Sequence, residues 1–184
     1  MSTSNPDNSF PRALDPPKDP IVLLDTVIFS QVIEQSRKSP RWRIILPFHK
    51  SNDDLLQRML NVLQPGSYIQ PHRHESPPKA ESILVLKGSI CFVSFKDAGE
   101  IDDYFLLSQG SGNIGIDVVP GVFHTFFAME KDTVLFEVKP GPYVEIDDKD
   151  FAAWSPAEGS EEAKDYLKML SRLVPLRSTI GMLE

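Results

Sequence analysis

Two histidines and a carboxylate stand close together in the stretch from Gly66 to Glu81, GSYIQPHRHESPPKAE. His72 and His74 are separated by one residue, and Glu81 follows His74 by seven positions. In an extended strand, residues i and i+2 point to the same face, so both imidazoles would face one side and Arg73 the other. Imidazole nitrogens with a carboxylate oxygen are suitable ligands for a divalent metal. The stretch predicts either a metal site or, more simply, polar residues on a loop.

A third imidazole is available from His124, in VVPGVFHTFF, directly after a Pro-Gly turn. A hairpin return would bring Glu81 back beside the first two histidines. Taken separately, these residues have ordinary structural explanations. His72 and His74 could be a solvated pair, Glu81 a surface acid and His124 a hydrogen-bonded core histidine. Their joint spacing favours a divalent ion, which would keep two open positions if it were six-coordinate. Three imidazoles and a carboxylate suit Fe, Mn, Ni, Co, Cu or Zn equally well.

The elements that must position these residues are short strands. Between Trp42 and Val138 nine runs of apolar and β-branched residues are separated by turn signals such as PG, KG, DAGE and QGSGN. Many short strands at this spacing predict a sandwich or a closed barrel. No long helical segment interrupts them, which argues against a parallel α/β sheet.

The segments before and after this region differ from it in composition and predicted structure. Five prolines and no apolar period predict a disordered N-terminal tail. A short strand is then expected to lead into a helix that Asp25 or Thr26 caps and Pro40 stops, and Ser160 is expected to cap a second helix that ends at Pro175. The predicted organisation is a tail over 1–20, a strand and helix over 21–40, a β-barrel over 41–140, and an extension over 141–184 with a helix at about 160–174.

Composition narrows the classes of function. The 184 residues are 41% hydrophobic and carry a net charge of −7, which is ordinary for one soluble domain and disfavours nucleic-acid binding. No apolar run approaches the roughly 20 residues that span a bilayer, and the first residues lack the apolar core of a signal peptide. A single cysteine excludes an intrachain disulfide framework. We expect a cytoplasmic protein that contacts neither membranes nor nucleic acid.

The two histidine motifs resemble those of the cupin superfamily over residues 41–140. The first is Gly66, His72-x-His74, Glu81 and Gly88, and the second is VPGVFH with Pro120, Gly121 and His124. The resemblance implies an all-β cupin double-stranded β-helix, a jelly-roll barrel with flanking N- and C-terminal α-helices. It also implies one divalent metal ion per chain and a homodimer. The implied ligands are His72, His74, Glu81 and His124.

A narrower resemblance is to the WbuC family of cupin-fold metalloproteins, often found with O-antigen polysaccharide genes. The segments that carry it are RWRIILPFH, LLQRMLNVLQPGSYIQPHRH, ESILVLKG, IDVVPGVFHT and FEVKPGPY, in that order. They imply a small sugar or nucleotide-sugar-like ligand and a link to polysaccharide biosynthesis.

The chain departs from the cupin pattern in two places. Six residues, ESPPKA, separate His74 from Glu81, where cupins have a shorter gap. Glu75 is a rival carboxylate, but as the neighbour of His74 it would point to the opposite face. In the second motif, Val119 and Ala128 replace an expected proline and asparagine, which are structural positions rather than ligands.

Other residues are candidates for roles around the metal. His49 and Glu137 could move a proton, although His49 could equally be a hydrogen-bonded loop residue and Glu137 could face outward. Arg41 and Arg43 share a strand face and could bind a phosphate or carboxylate, or pair with surface acids. Tyr143 is a further candidate for substrate binding.

Three functions fit this site. The first is a metal-dependent enzyme, such as an isomerase or epimerase, on a small polar molecule. The second is an iron-dependent dioxygenase that uses the open positions for dioxygen and substrate. The third is a non-catalytic module that binds a metal or a sugar.

Overall fold

The architecture comes from a computed structural model that describes residues 10–145 and 148–174. Residues 1–9 of the predicted tail, and Pro175 as the predicted helix stop, lie outside the described residues. Two helices and ten strands follow in order: α1 Thr26–Lys38, β1 Arg43–Pro47, β2 Leu56–Leu63, β3 His72–Arg73, β4 Glu81–Lys87, β5 Ser89–Phe95, β6 Ile101–Ser108, β7 Gly115–Val118, β8 Phe123–Ala128, β9 Thr133–Pro140, β10 Asp150–Phe151 and α2 Glu161–Ser171.

The strands form two five-stranded sheets, and every strand pair is antiparallel. Sheet A has the order β1-β2-β9-β4-β7, and sheet B has the order β10-β3-β8-β5-β6. Neighbours in a sheet are rarely neighbours in sequence, as expected for a jelly roll. The predicted fold class, an all-β cupin jelly roll with flanking helices, is confirmed.

The inner face of sheet A changes from apolar to charged along its length. Ile83 of β4 lies opposite Glu137 of β9, and Val85 lies opposite Leu135. Because side chains alternate along a strand, Glu81 joins Ile83 and Val85 on this inner face. The apolar end packs into the core between the sheets, which is made up of Leu63, Ile69, Ile83, Val85, Ile90, Phe92, Leu107, Val118, Phe126, Ala128 and Leu135. The charged end is where chemistry can take place.

Helix α1 covers the outer face of sheet A. Asp25 caps it, since its Oδ1 accepts hydrogen bonds of 3.0 Å from the backbone N–H groups of Val27 and Ile28. Its buried residues Val32 and Ile33 lie in a cluster with Ile44, Leu46, Leu60, Val62 and Val134 of the sheet.

The N-terminal segment differs from its prediction in two ways. Residues 21–24 do not form a strand, and Ile21 and Leu23 are 82% and 73% exposed because the segment pairs with no strand of the described chain. Residues 10–14, which were predicted to be part of a disordered tail, lie on the barrel. Phe10 and Leu14 pack against the cluster under α1, and the N–H of Leu14 donates to Ile45 O at 2.8 Å.

The C-terminal extension returns to sheet B twice. Strand β10 pairs with β3, with Asp150 opposite Arg73 and Phe151 opposite His72. Helix α2, which Ser160 caps as predicted, then packs its buried Leu170 against the outer face of this sheet. Among the described residues no helix is long and apolar enough to cross a membrane.

We predict that Leu60→Ala lowers the free energy of unfolding by about 2–5 kcal/mol, because Leu60 is fully buried between β2 and α1. Urea denaturation measures the change. Leu55→Ala is the control, since Leu55 is 83% exposed and its truncation is expected to cost less than about 0.5 kcal/mol. Equal losses in the two variants would contradict the packing of α1 on sheet A.

Candidate metal centre

The three predicted histidines meet inside the barrel. His72 of β3 lies directly opposite His124 of β8, and His74 follows β3 by one residue. All three are buried, with exposed fractions of 2%, 3% and 1% for His72, His74 and His124. One ring nitrogen from each lies within 4.8 Å of the other two. The strand pairing thus brings together residues that are fifty positions apart in sequence.

Each imidazole is held by a backbone carbonyl through Nδ1. His72 Nδ1 donates to Gln70 O and His124 Nδ1 to Val122 O, both at 2.9 Å, and His74 Nδ1 donates to Asp148 O. A carbonyl oxygen can only accept, so in each neutral ring the proton is on Nδ1 and Nε2 has a lone pair. This tautomer is the one a metal ligand needs.

Glu81 adds a carboxylate oxygen to these lone pairs. Its Oε2 lies 3.3 Å from His124 Nε2 and 3.8 Å from His74 Nε2. Within the described chain all three of these atoms are buried without a hydrogen-bond partner. Acceptor atoms that face one another in a buried space repel unless a proton or a cation lies between them. The donor set therefore fits a divalent metal ion.

His72 and His74 are neutral at physiological pH. Burial, followed by the positive charge of Lys149, lowers the pKa of His72 well below 6.5, and burial lowers the pKa of His74 to about 4. Burial acts to raise the pKa of Glu81, but the positive charge of Lys139 opposes this effect, and the pKa lies below its usual value. An ionised carboxylate beside neutral imidazoles is the state that binds a metal.

The long ESPPKA segment does not displace Glu81. The N–H of Lys79 donates to His74 O at 3.4 Å, and Glu75 forms a bridge with Pro78, so the extra residues make a local hairpin. The rival Glu75 is exposed, and its Oε2 lies 2.5 Å from Arg73.

A glycine turn joins the two motifs. The N–H of Gly121 donates to His74 O at 3.1 Å, and Gly121 has φ of +86°, a region that side chains with a Cβ rarely adopt. This contact places the start of β8, and with it His124, next to His74.

Glu137 faces the centre from β9. It is 5% exposed, and its Oε1 accepts a hydrogen bond of 2.7 Å from Asn61 Nδ2. Burial, together with the negative charge of Glu81, raises the pKa of Glu137 to about 7. A carboxyl group with this pKa can take up or release a proton near neutral pH.

A cluster of buried charges surrounds the ligands. Lys139 Nζ lies 2.7 Å from Asp148 Oδ2, and Lys79 Nζ lies 3.6 Å from Asp148 Oδ1. Two ammonium groups thus share one carboxylate. Lys149 follows directly, and burial and the charge of Lys139 lower its pKa to about 8.

The remaining predicted site residues lie elsewhere or are already engaged. Arg41 and Arg43 do form a clamp, but it binds the chain's own Glu158, with Arg41 Nε at 2.7 Å and an Arg43 terminal nitrogen at 2.6 Å from its carboxylate. Nδ1 of His49 lies 3.2 Å from the backbone N and 3.1 Å from the backbone O of Arg58, so it accepts from the one or donates to the other according to the tautomer, which matches the alternative of a loop histidine.

Tyr143 is half-buried, and its N–H donates to Asn52 O at 2.7 Å. Burial and the charge of Asp148 raise the pKa of its hydroxyl, so the group stays protonated.

Sequence reasoning did not identify Asn61, Lys79, Asp148 and Lys149. Asn61 had a signal, because it is a lone polar residue within the apolar strand sequence MLNVL. Asp148 and Lys149 had none, since they precede a two-residue strand that is too short for a period.

The described fold is an all-β jelly roll that holds a buried histidine triad as a candidate metal centre. A family profile described as a domain of unknown function, DUF6016, matches residues 24–107. Among curated proteins none matches the chain.

Similar solved structures have low sequence identity to this chain. A Bacillus subtilis oxalate decarboxylase variant is 16% identical over 60% of this chain and 28% of its own, with a TM-score of 0.46. The capsular polysaccharide assembling protein CapF from Staphylococcus aureus is 22% identical over 58% of this chain and 28% of its own, with a TM-score of 0.44. KdgF from Halomonas sp. is 17% identical over 56% of this chain and 82% of its own, with a TM-score of 0.42. This chain thus spans about a quarter of the length of the decarboxylase.

We predict that Glu137→Gln changes the pH dependence of stability in protein treated with a chelator. A pKa of about 7 in the folded state lies above the usual value for Glu, so the stability that neutral Glu137 provides is present at low pH and lost as pH rises through about 7. Glutamine mimics the neutral form at every pH. The variant should therefore gain roughly 1–3 kcal/mol relative to the wild type between pH 5 and pH 8.

Urea denaturation at the two pH values measures this gain. Glu100→Gln, which changes an exposed carboxyl group in the turn before β6, is the control and should show no comparable change. A gain that is the same at both pH values would show that Glu137 is ionised throughout this range.

Proposed function

We propose that this protein is a metal-dependent enzyme that acts on a small polar molecule. One divalent ion is held by Nε2 of His72, His74 and His124 and by the carboxylate of Glu81. The bound ion would polarise an oxygen of the substrate. Glu137 moves the proton, because it combines a position on the inner face of β9 with a pKa of about 7.

One observation carries the metal assignment. Three imidazoles are each fixed through Nδ1 to a backbone carbonyl, and Nε2 of His74 and of His124 lies beside the buried carboxylate of Glu81. A structural histidine cluster would be expected to use its second nitrogens in hydrogen bonds. Here His74 Nε2, His124 Nε2 and Glu81 Oε2 have none among the described residues.

A proton-transfer role for Glu137 favours an enzyme over a binding module. Asn61 Nδ2 fixes the carboxyl group at 2.7 Å, and Asn61 Oδ1 is left without a partner in the described chain. A buried carboxyl group held half-protonated is costly for stability and has no evident packing role. This observation supports acid–base chemistry, as in an isomerase or epimerase.

The finer assignment rests on the sequence alone. The resemblance to the WbuC family supports a sugar or nucleotide-sugar-like substrate and a role in polysaccharide biosynthesis. A homodimer in the cytoplasm is proposed on the same basis.

We predict that His72→Ala, His74→Ala and His124→Ala each weaken metal binding by at least about 100-fold, since even loss of a residue that supports a metal ligand costs 10- to 100-fold. Protein purified without added metal is analysed for metal content, and affinities are then measured by titration of the chelated apo-protein. The wild type is expected to contain one ion per chain.

His49→Ala is the matched control, because His49 contacts the backbone of Arg58 and none of the triad. It should keep the metal content of the wild type. Full metal content in the triad variants would refute the ligand assignment, and a wild type that binds no divalent ion would refute the proposed function.

A further inference from the structure

Lys149 directly precedes β10, the strand that pairs with β3 beside the metal centre. Phe151 is opposite His72, and cross-strand partners in an antiparallel pair project to the same face. Since i and i+2 share a face, Lys149 projects to the side of His72 and His74. Its neighbour Asp148 accepts the hydrogen bond from His74 Nδ1, which fixes the backbone at this point.

The positive charge of Lys149 affects the pKa values of several groups in the centre. It contributes to lowering the pKa values of His72, His74 and Glu137. The ammonium group of Lys149 is therefore close enough to act on three groups of the cluster.

Lys149 lacks a carboxylate partner, unlike the other two lysines of the cluster. Lys79 and Lys139 both contact Asp148, whereas no carboxylate oxygen of residues 10–145 or 148–174 lies within 4.0 Å of the ammonium group of Lys149. A half-buried cation without a partner is unfavourable unless a ligand supplies the missing charge.

A bound metal ion would make the net charge of the centre more positive, which would favour an anionic ligand. Three ammonium groups face the ionised carboxylates of Glu81 and Asp148 and the partly protonated carboxyl group of Glu137, and a divalent ion adds two more positive charges. An anionic ligand at the open positions would restore the balance, and a neutral ligand would not.

We infer that Lys149 binds the carboxylate of a small organic acid that reaches the metal centre, so that the substrate of the proposed enzyme is an organic anion. This inference rests on the proposed function. A single ammonium group supplies one point charge, as a carboxylate requires, whereas a phosphate dianion in a buried site usually takes arginine forks or several donors. Arg41 and Arg43 are already engaged by Glu158.

An exposed aromatic side chain near Lys149 could contact the apolar part of such a ligand. Phe151 is 55% exposed, and its ring centroid lies 6.2 Å from that of His72. The ligand would meet an apolar side chain and a cation on neighbouring positions of one face before it reaches the histidines.

The test compares two probes of the same shape. Glycolate and glycolamide both offer two oxygens to a metal, but only glycolate is charged. Binding of each to the metal-loaded full chain is measured by calorimetry for the wild type, Lys149→Met and Lys149→Arg. Lys164→Met is the control, since Lys164 lies on α2 with 75% of its side chain exposed.

We predict that Lys149→Met weakens glycolate binding by roughly 10- to 100-fold, as expected for loss of a charge-assisted hydrogen bond, and leaves glycolamide binding within about threefold. Lys149→Arg and Lys164→Met should keep the glycolate affinity within about threefold of the wild type, because both variants retain a cation at position 149. The unfolding midpoint of Lys149→Met should equal or exceed that of the wild type, since no ion pair is lost.

Two results would overturn the inference. One is equal weakening of glycolate and glycolamide in Lys149→Met, and the other is no glycolate binding by metal-loaded wild type. Metal content is measured in the same samples. A wild type without metal would refute the proposed function, whereas one ion per chain with unchanged glycolate affinity in Lys149→Met would refute this inference alone.

Discussion

The structure depends on one constraint, which is that each histidine of the triad is oriented by a backbone carbonyl. His72 and His124 use the carbonyl two residues earlier in their own segments, so each carries its own support. His74 instead depends on Asp148, which lies beyond the barrel strands. The C-terminal extension is consequently part of the centre, because without it His74 would have no partner to hold its proton on Nδ1.

Several contacts fix that extension in place. The Asp150 carboxylate accepts from the N–H of Glu75 and Ser76, and the N–H of Ala152 donates to Pro71 O. Farther along, Glu158 binds Arg41 and Arg43. These contacts hold the segment within β10 and after it, and they help to fix the position of Lys149 directly before the strand. The arginines that sequence reasoning assigned to substrate thus act on the centre only by positioning this segment.

Local rules predicted the parts of the site that lie within single strands. Alternation placed His72 and His74 on one face, and the paired turn motif located His124. The same rules do not predict that β3 has only two residues, His72 and Arg73, where Pro71 before them has no N–H to donate to a ladder. Local rules do not predict contacts between distant segments. Nothing near Arg43 indicates that its partner is Glu158, and nothing near His74 indicates Asp148.

The choice of a peptide oxygen as the anchor for His74 affects how this protein tolerates change. Every amino acid at position 148 presents the same carbonyl, so no replacement of that side chain removes the acceptor, whereas a side-chain anchor is lost in one step. The length of the chain between Gly141 and Asp148 matters instead, since one added or missing residue would carry another carbonyl to this point and shift Lys149 to the opposite face. The anchor of His74 is therefore insensitive to side-chain replacement at position 148 and sensitive to insertion and deletion before it.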